Sequence, residues 1–142
     1  MRYLESCICF VAVALLAGCA STAQVLPFPD QSKRVVNPEK ARIYVMRTSI
    51  VGPIFPMEVY EGDRLVGKNG PKGYVCWECW PGPVAVTGVC FNRSTIEVLA
   101  KRGQAYYIWQ HAIPGYQRLD NRLELVSETQ GKELLKKCKP PK

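Results

Sequence analysis

The sequence has little with which to do covalent chemistry. It contains one histidine, His111, no Ser or Asp motif places a triad around it, and Ser94 lies in no G-x-S-x-G elbow. It has no run of five like charges, which argues against an acidic or basic interaction tail. A zinc knuckle needs a second ligand pair at a defined spacing, and beyond Cys76 and Cys79 only Cys90, Cys138 and His111 are on offer, so neither a metal nor a cofactor is expected. The composition, 47% apolar and 22% charged, is close to the globular average and argues against a disordered, fibrous or coiled-coil chain. Long apolar runs are missing too. The unbroken stretch Ile8 to Ala17 spans about 15 Å as a helix, half of a ~30 Å hydrocarbon core, and so argues against a permanent transmembrane segment.

What that stretch does fit is the h-region of a signal peptide. It ends in Leu16-Ala17-Gly18-Cys19, which looks like a bacterial lipobox: a branched residue, two small residues, then a cysteine able to form a thioether with diacylglycerol. Small residues before the cut let an extended chain enter a narrow peptidase site. Residues 1–18 are therefore expected to be a lipoprotein signal peptide, and Cys19 the acylated N-terminus. Gly18-Cys19-Ala20 also satisfies the small-x-small rule for ordinary cleavage after Ala20, which would release a soluble protein. Each buried CH₂ contributes about 0.8 kcal/mol, so three acyl chains would hold the domain permanently at a membrane. The residue after the cysteine is Ala20 rather than the Asp that resembles an inner-membrane retention signal, which implies the periplasmic face of the outer membrane. Arg2 and Glu5 leave together with the leader, so the mature part keeps the net charge of +7 and a bias toward anionic partners. An exported protein seldom meets nucleic acid, and none is expected here.

Residues 19–40 carry Pro27, Pro29 and Pro38 with no helical or strand period and read as a tether. From residue 41 to 142 the pattern changes to short β-rich stretches separated by Gly and Pro, the mark of a mainly β, antiparallel sandwich. Strands are expected near Ala41–Arg47, Met57–Glu61, Arg64–Lys68, Tyr74–Trp80, Val84–Phe91, Thr95–Ala100, Gln104–Ala112 and Arg122–Val126, with turns at Gly62-Asp63, Trp80-Pro81-Gly82-Pro83 and Arg102-Gly103. Ser127-Glu128-Thr129-Gln130 has the form of a capping box and predicts a short C-terminal helix presenting Leu134, Leu135 and Cys138 on one side. Lys136, Lys137 and Lys139 then complement its macrodipole.

The remaining cysteines, Cys76, Cys79, Cys90 and Cys138, are an even number in an oxidising compartment and are expected to form two disulfides, with all three connectivities open. Cys76 and Cys79 should not pair with each other, since residues three apart on a strand point to opposite faces. A bridge from Cys76 to Cys90 across a hairpin turned at Trp80 to Pro83 would need an odd loop or a bulge, for which Gly88 is a candidate. A redox role for that pair would require a helix N-terminus, where a strand and a Pro-Gly turn stand instead. Trp77, Trp80, Tyr107 and Trp109 could make a sugar-stacking platform if they share an exposed face; core or edge packing is the expected state.

Taken in order, Ala41-Arg42-Ile43-Tyr44-Val45-Met46-Arg47, the Glu61-Gly62-Asp63 hairpin, Trp80-Pro81-Gly82 and Gly103-Gln104-Ala105-Tyr106-Tyr107-Ile108 resemble the bacterial lipoproteins grouped as domain of unknown function 2846. The strand and Pro-Gly rhythm is also similar to PEGA-like modules, β-sandwiches related in shape to transthyretin. The resemblance implies an envelope lipoprotein with no catalytic residues to carry over; the Cys76 to Cys90 segment and Cys138 depart from it. The expected function is a non-enzymatic, membrane-anchored sandwich that contacts an envelope protein or peptidoglycan. The competing expectation is a binding module for an anionic glycan or lipid headgroup.

Overall fold

A computed structural model describes residues 37–52 and 54–139; Leu16, Ala17, Gly18 and Cys19 lie outside the described residues, as does most of the tether. Eight strands form two four-stranded sheets, and one helix follows. The strands are β1 (Ala41–Arg47), β2 (Met57–Glu61), β3 (Arg64–Asn69), β4 (Gly73–Cys79), β5 (Gly82–Val89), β6 (Arg93–Ala100), β7 (Ala105–Gly115) and β8 (Arg118–Val126); the helix α1 is Glu128–Lys136. One sheet has the order β4-β1-β7-β8 and the other β3-β2-β5-β6, so the chain is a mainly β sandwich with a short C-terminal helix.

The expected turns are present. Gly62 (φ 56°) and Gly103 (φ 74°) take the left-handed backbone that glycine adopts without a Cβ penalty. Two expectations about pairing need correction. The Trp80-Pro81-Gly82 turn is not a hairpin: β4 and β5 belong to different sheets, and the segment between them carries the chain across the sandwich. Nor is the pairing wholly antiparallel, because β1 pairs parallel with β7, Arg42 opposite Ala105 through Met46 opposite Trp109.

Strand β1 is buried along its whole length. Ile43 and Val45 join Val59, Val75, Trp77, Val86, Ile108 and Leu123 in the core between the sheets. On the other face, Tyr44 and Met46 join Tyr74, Cys76, Tyr107, Leu134, Leu135 and Cys138 in a second cluster, roofed by α1. A strand covered on both sides reads as a continuous apolar run instead of an alternation, as A-R-I-Y-V-M-R nearly does.

The roof is held by its cap and by one small residue. Ser127 accepts a hydrogen bond from the Gln130 backbone N–H at 3.2 Å, as the capping box predicts. Gly131 lets the helix settle onto β7: a Cβ there would lie 2.2 Å from Cγ of Tyr107, whose ring stacks on Tyr44 at 5.1 Å. Alanine is the better helix former by about 1 kcal/mol, so propensity alone predicts that Gly131→Ala stabilises. Packing predicts the reverse. We expect Gly131→Ala to lower stability by about 1–3 kcal/mol in urea unfolding, because the helix must lift from Tyr107; an unchanged or raised midpoint would show that the roof is loosely seated.

Candidate functional site

The site is the end of the sandwich where β1 finishes. Strand β1 places Ile43, Val45 and Arg47 on its inward face, so the residue that closes the row is a fully buried cation. Among the described residues Arg47 has no carboxylate partner; it is held by backbone carbonyls. Its Nη1 donates to Phe55 O at 2.8 Å and Asn69 O at 3.1 Å, and its Nη2 donates to Val51 O at 2.6 Å and Gly52 O at 3.0 Å. One side chain thus fixes the connection from β1 to β2 and ties it to the end of β3.

Beside it runs a chain of amides between the two sheets. Asn69 Nδ2 donates to Gln110 Oε1 at 3.2 Å and to Val45 O at 3.1 Å, and Gln110 approaches Asn121 Oδ1 at 3.5 Å. Asn121 Nδ2 donates to Asn92 Oδ1 at 2.9 Å. The Asn92 side chain in turn pairs with the Asn121 backbone, accepting from its N–H at 2.7 Å and donating to its carbonyl at 2.9 Å. The chain has room because Gly88 lies beneath it; a Cβ there would be 2.3 Å from Asn121 Oδ1. Asn69, Gln110 and Asn121 are all buried. The sequence carried a signal for them: each takes an inward position in an otherwise apolar alternation, and Gly88 leaves the gap opposite.

Outside this polar interior the surface is apolar. Ile50 (65%), Val51 (42%), Ile54 (77%) and Phe91 (55%) stand exposed, with Ile113 and Tyr116 on the β7–β8 hairpin that projects past the end of β1. Phe55 meets Phe91 edge-on at 5.3 Å, and Gly52 packs onto Leu119 of the same hairpin. Phe55, Pro56, Glu58, Val89, Cys90 and Phe91 line a cleft of about 310 Å³. Lysines border this surface. Lys72 N–H donates to Ser49 O at 3.2 Å, and Lys139 N–H donates to Lys72 O at 2.6 Å, which brings the chain after α1 alongside the β1–β2 connection. Lys72, Lys137 and Lys139 are exposed.

The four aromatic residues considered as a stacking platform do not share one exposed face; Tyr107 and Trp109 lie on the same side of β7, toward α1, and the others elsewhere. Trp77 and Tyr107 are buried, one between the sheets and the other under α1. Trp80 is 65% exposed at the opposite end, where Lys40 Nζ lies 4.8 Å from its ring centroid. Trp109 is half-buried, donates to Thr48 Oγ1 at 3.2 Å and lies against His111. His111 Nε2 meets Glu124 Oε2 at 2.7 Å, a pairing across the outer face of β7 and β8.

The expected disulfides are also absent, since Cys76, Cys79, Cys90 and Cys138 are all free. Cys76 and Cys79 point to opposite faces of β4, as strand geometry requires, and join different clusters. A Cys76–Cys90 bridge across a β4–β5 hairpin fails because that hairpin does not exist. Burial pushes the Cys76 thiol up to about 12 and the Cys79 and Cys138 thiols up to about 11. Three thiols are thus neutral and sealed at pH 7, and Cys90 alone is partly open.

No family model matches the chain, and no solved structure matches it. It is similar to an uncharacterized protein of Haemophilus influenzae, 26% identical over an alignment of 132 residues that covers 89% of this chain and 79% of that protein. Among the described residues no group of three or more His, Cys, Asp or Glu is placed to hold a metal ion, and no helix is long and apolar enough to cross a membrane.

Two outcomes follow from this geometry. Replacing Arg47 by Met removes four hydrogen bonds from a buried cation to the backbone, three of them part-buried, so the domain should lose on the order of 3 kcal/mol in denaturant unfolding. Arg47→Lys, which keeps the charge without the fork, should recover only part of this. Amide exchange confined to residues 48–56 should rise in Arg47→Lys, and an unchanged exchange pattern would deny Arg47 its role in shaping the loop. Thiol titration of residues 20–142 without reductant should find one reactive thiol in the native protein and four in denaturant. Fewer than four in denaturant would mean that disulfides form after all.

Proposed function

We propose that the chain is a membrane-anchored bacterial envelope lipoprotein whose sandwich domain works by contact and not by catalysis, with the loop end around Ile50, Ile54 and Phe91 as the contact surface. The observation that carries this is the concentration of exposed apolar side chains. Of the ten large hydrophobic residues that stand exposed among the described residues, Ile50, Val51, Ile54, Phe91, Ile113 and Tyr116 are at this one end. Single exposed hydrophobics are ordinary; a contiguous group marks an interaction surface.

The anchor in this proposal comes from Leu16-Ala17-Gly18-Cys19, with Ala20 favouring the periplasmic face of the outer membrane. The resemblance to the domain of unknown function 2846 lipoproteins supports the same reading. Titratable groups near the contact end are engaged in structural pairings: Asp120 with Arg118, Glu58 with Lys68 and Tyr60, and His111 with Glu124. The second reading, a module for an anionic glycan such as peptidoglycan or for a lipid headgroup, is favoured by the net charge of +7 and by the lysines beside the apolar loop.

Intact mass measurement of protein from native membranes should show loss of residues 1–18 and acyl chains on Cys19. Crosslinking of the anchored protein through a photoreactive residue at position 54 should then capture a specific envelope component that the same probe at position 102, on the opposite end, does not. An unlipidated mature chain would remove the anchor, and identical capture from both positions would remove the contact surface.

A further inference from the structure

We infer that the contact end docks on an anionic phospholipid surface, a deepening that rests on the contact surface proposed above. Three observations point to lipid. The first is the chemistry of the exposed side chains: Ile50, Val51, Ile54 and Phe91 project from loops, where aliphatic and aromatic groups can enter the boundary between headgroups and acyl chains without unfolding any strand.

The second is charge. Lys72 and Lys139 lie exposed beside that loop, connected to it through Lys139 N–H to Lys72 O and Lys72 N–H to Ser49 O, and exposed Lys137 stands two residues before Lys139 at the end of α1. Carboxylates near this end are neutralised within the chain: Asp120 is paired with Arg118, Glu133 with Lys136, and Glu58 with Lys68. What the end presents outward is apolar groups rimmed by cations, complementary to lipid tails beneath anionic headgroups.

The third is reach. Asn37 enters the fold at the opposite end, where its N–H meets Glu78 at 3.2 Å. Strand β1 separates the two ends by about 23 Å. The 17 residues between Cys19 and Asn37 can extend to about 60 Å, more than the length of β1, so an acylated Cys19 lets this end reach the leaflet that holds it.

The test uses residues 20–142, which cannot be acylated, sedimented with vesicles of phosphatidylcholine alone and with added phosphatidylglycerol. The protein should be retained by the mixed vesicles and bind neutral ones at least about tenfold more weakly; high salt should release it. Ile50→Ser, Ile54→Ser and Phe91→Ser together should abolish retention while near-ultraviolet circular dichroism stays native, since all three side chains are exposed. Lys72→Gln, Lys137→Gln and Lys139→Gln together should weaken binding by on the order of fivefold per lysine. Lys101→Gln with Arg102→Gln, at the other end, should leave binding unchanged.

Absence of retention, retention undiminished by the serine variant, or equal loss from the distal control would each overturn the proposal. Capture of an envelope protein through position 54 combined with no vesicle binding would overturn the lipid assignment alone and leave the contact surface standing. An unlipidated native chain, read separately by mass, would instead bear on the anchor.

Discussion

The fold's working end depends on a buried guanidinium that four carbonyls solvate. Taking a cation out of water costs several kcal/mol, and an isolated arginine at that depth would not be stable. Arg47 stays because its planar fork donates to the carbonyls of Val51, Gly52, Phe55 and Asn69, which take the place of the water it has lost. The arrangement is mutual: the loop and Asn69 supply acceptors for both Nη groups of the arginine, and the arginine gives the loop its shape. While Val51, Gly52 and Phe55 turn their carbonyls to Arg47, the side chains of Val51 and Ile54 stand exposed. The apolar surface is thus built in part on the loop that accommodates a charge inside.

The polarity of this end is therefore inverted relative to an ordinary sandwich. Its interior holds Arg47 and the amides of Asn69, Gln110, Asn121 and Asn92, while its exterior holds Ile50, Ile54 and Phe91. Amides linked in series are rigid, since each must keep its neighbour's geometry to remain satisfied, and the buried members specify one register between the sheets. Gly88 sets the condition, because any side chain there would occupy the place of the Asn121 amide. Stability alone would favour the opposite distribution. A surface kept apolar over a polar interior is best understood as serving contact.

Much of the fold was legible in the sequence. The bounds of β1 and β2, the glycine turns at Gly62 and Gly103 and the Ser127 cap follow from local rules: alternation, positive φ and an orphan N–H. What could not be read locally was partnership. Alternation says which face a residue takes and nothing about which strand lies beside it, so the passage of the chain across the sandwich at Pro81 looked like a hairpin, and the parallel β1–β7 pairing had no local sign. The cysteines went astray through the same gap. Their even number suggested bridges, whereas the strand pairing sends Cys76 and Cys79 into separate clusters and leaves Cys90 on the far side of the sandwich from a hairpin partner it never had. Trp77 and Tyr107 were ambiguous because burial on both faces of one sheet depends on α1, and the site for its docking appears only once Gly131 meets β7.

The C-terminal lysines show how one set of charges can serve two scales. On the helix alone, cations in the last turn offset the negative end of the macrodipole, and Lys136 does this while pairing with Glu133. The chain then turns at Cys138, whose thiol is buried against the Arg47 and Leu134 carbonyls, and that burial fixes where the following residue emerges. Lys139 consequently joins Gly73 at the end of β4, beside Lys72, on the rim of the apolar loop. A residue that in sequence merely terminates a helix is, through the seating of one small thiol, placed where its charge borders the contact surface. The same reasoning explains why the roof helix matters to a surface it does not itself form: lifting it would displace Cys138, and with Cys138 the lysine that borders the apolar end.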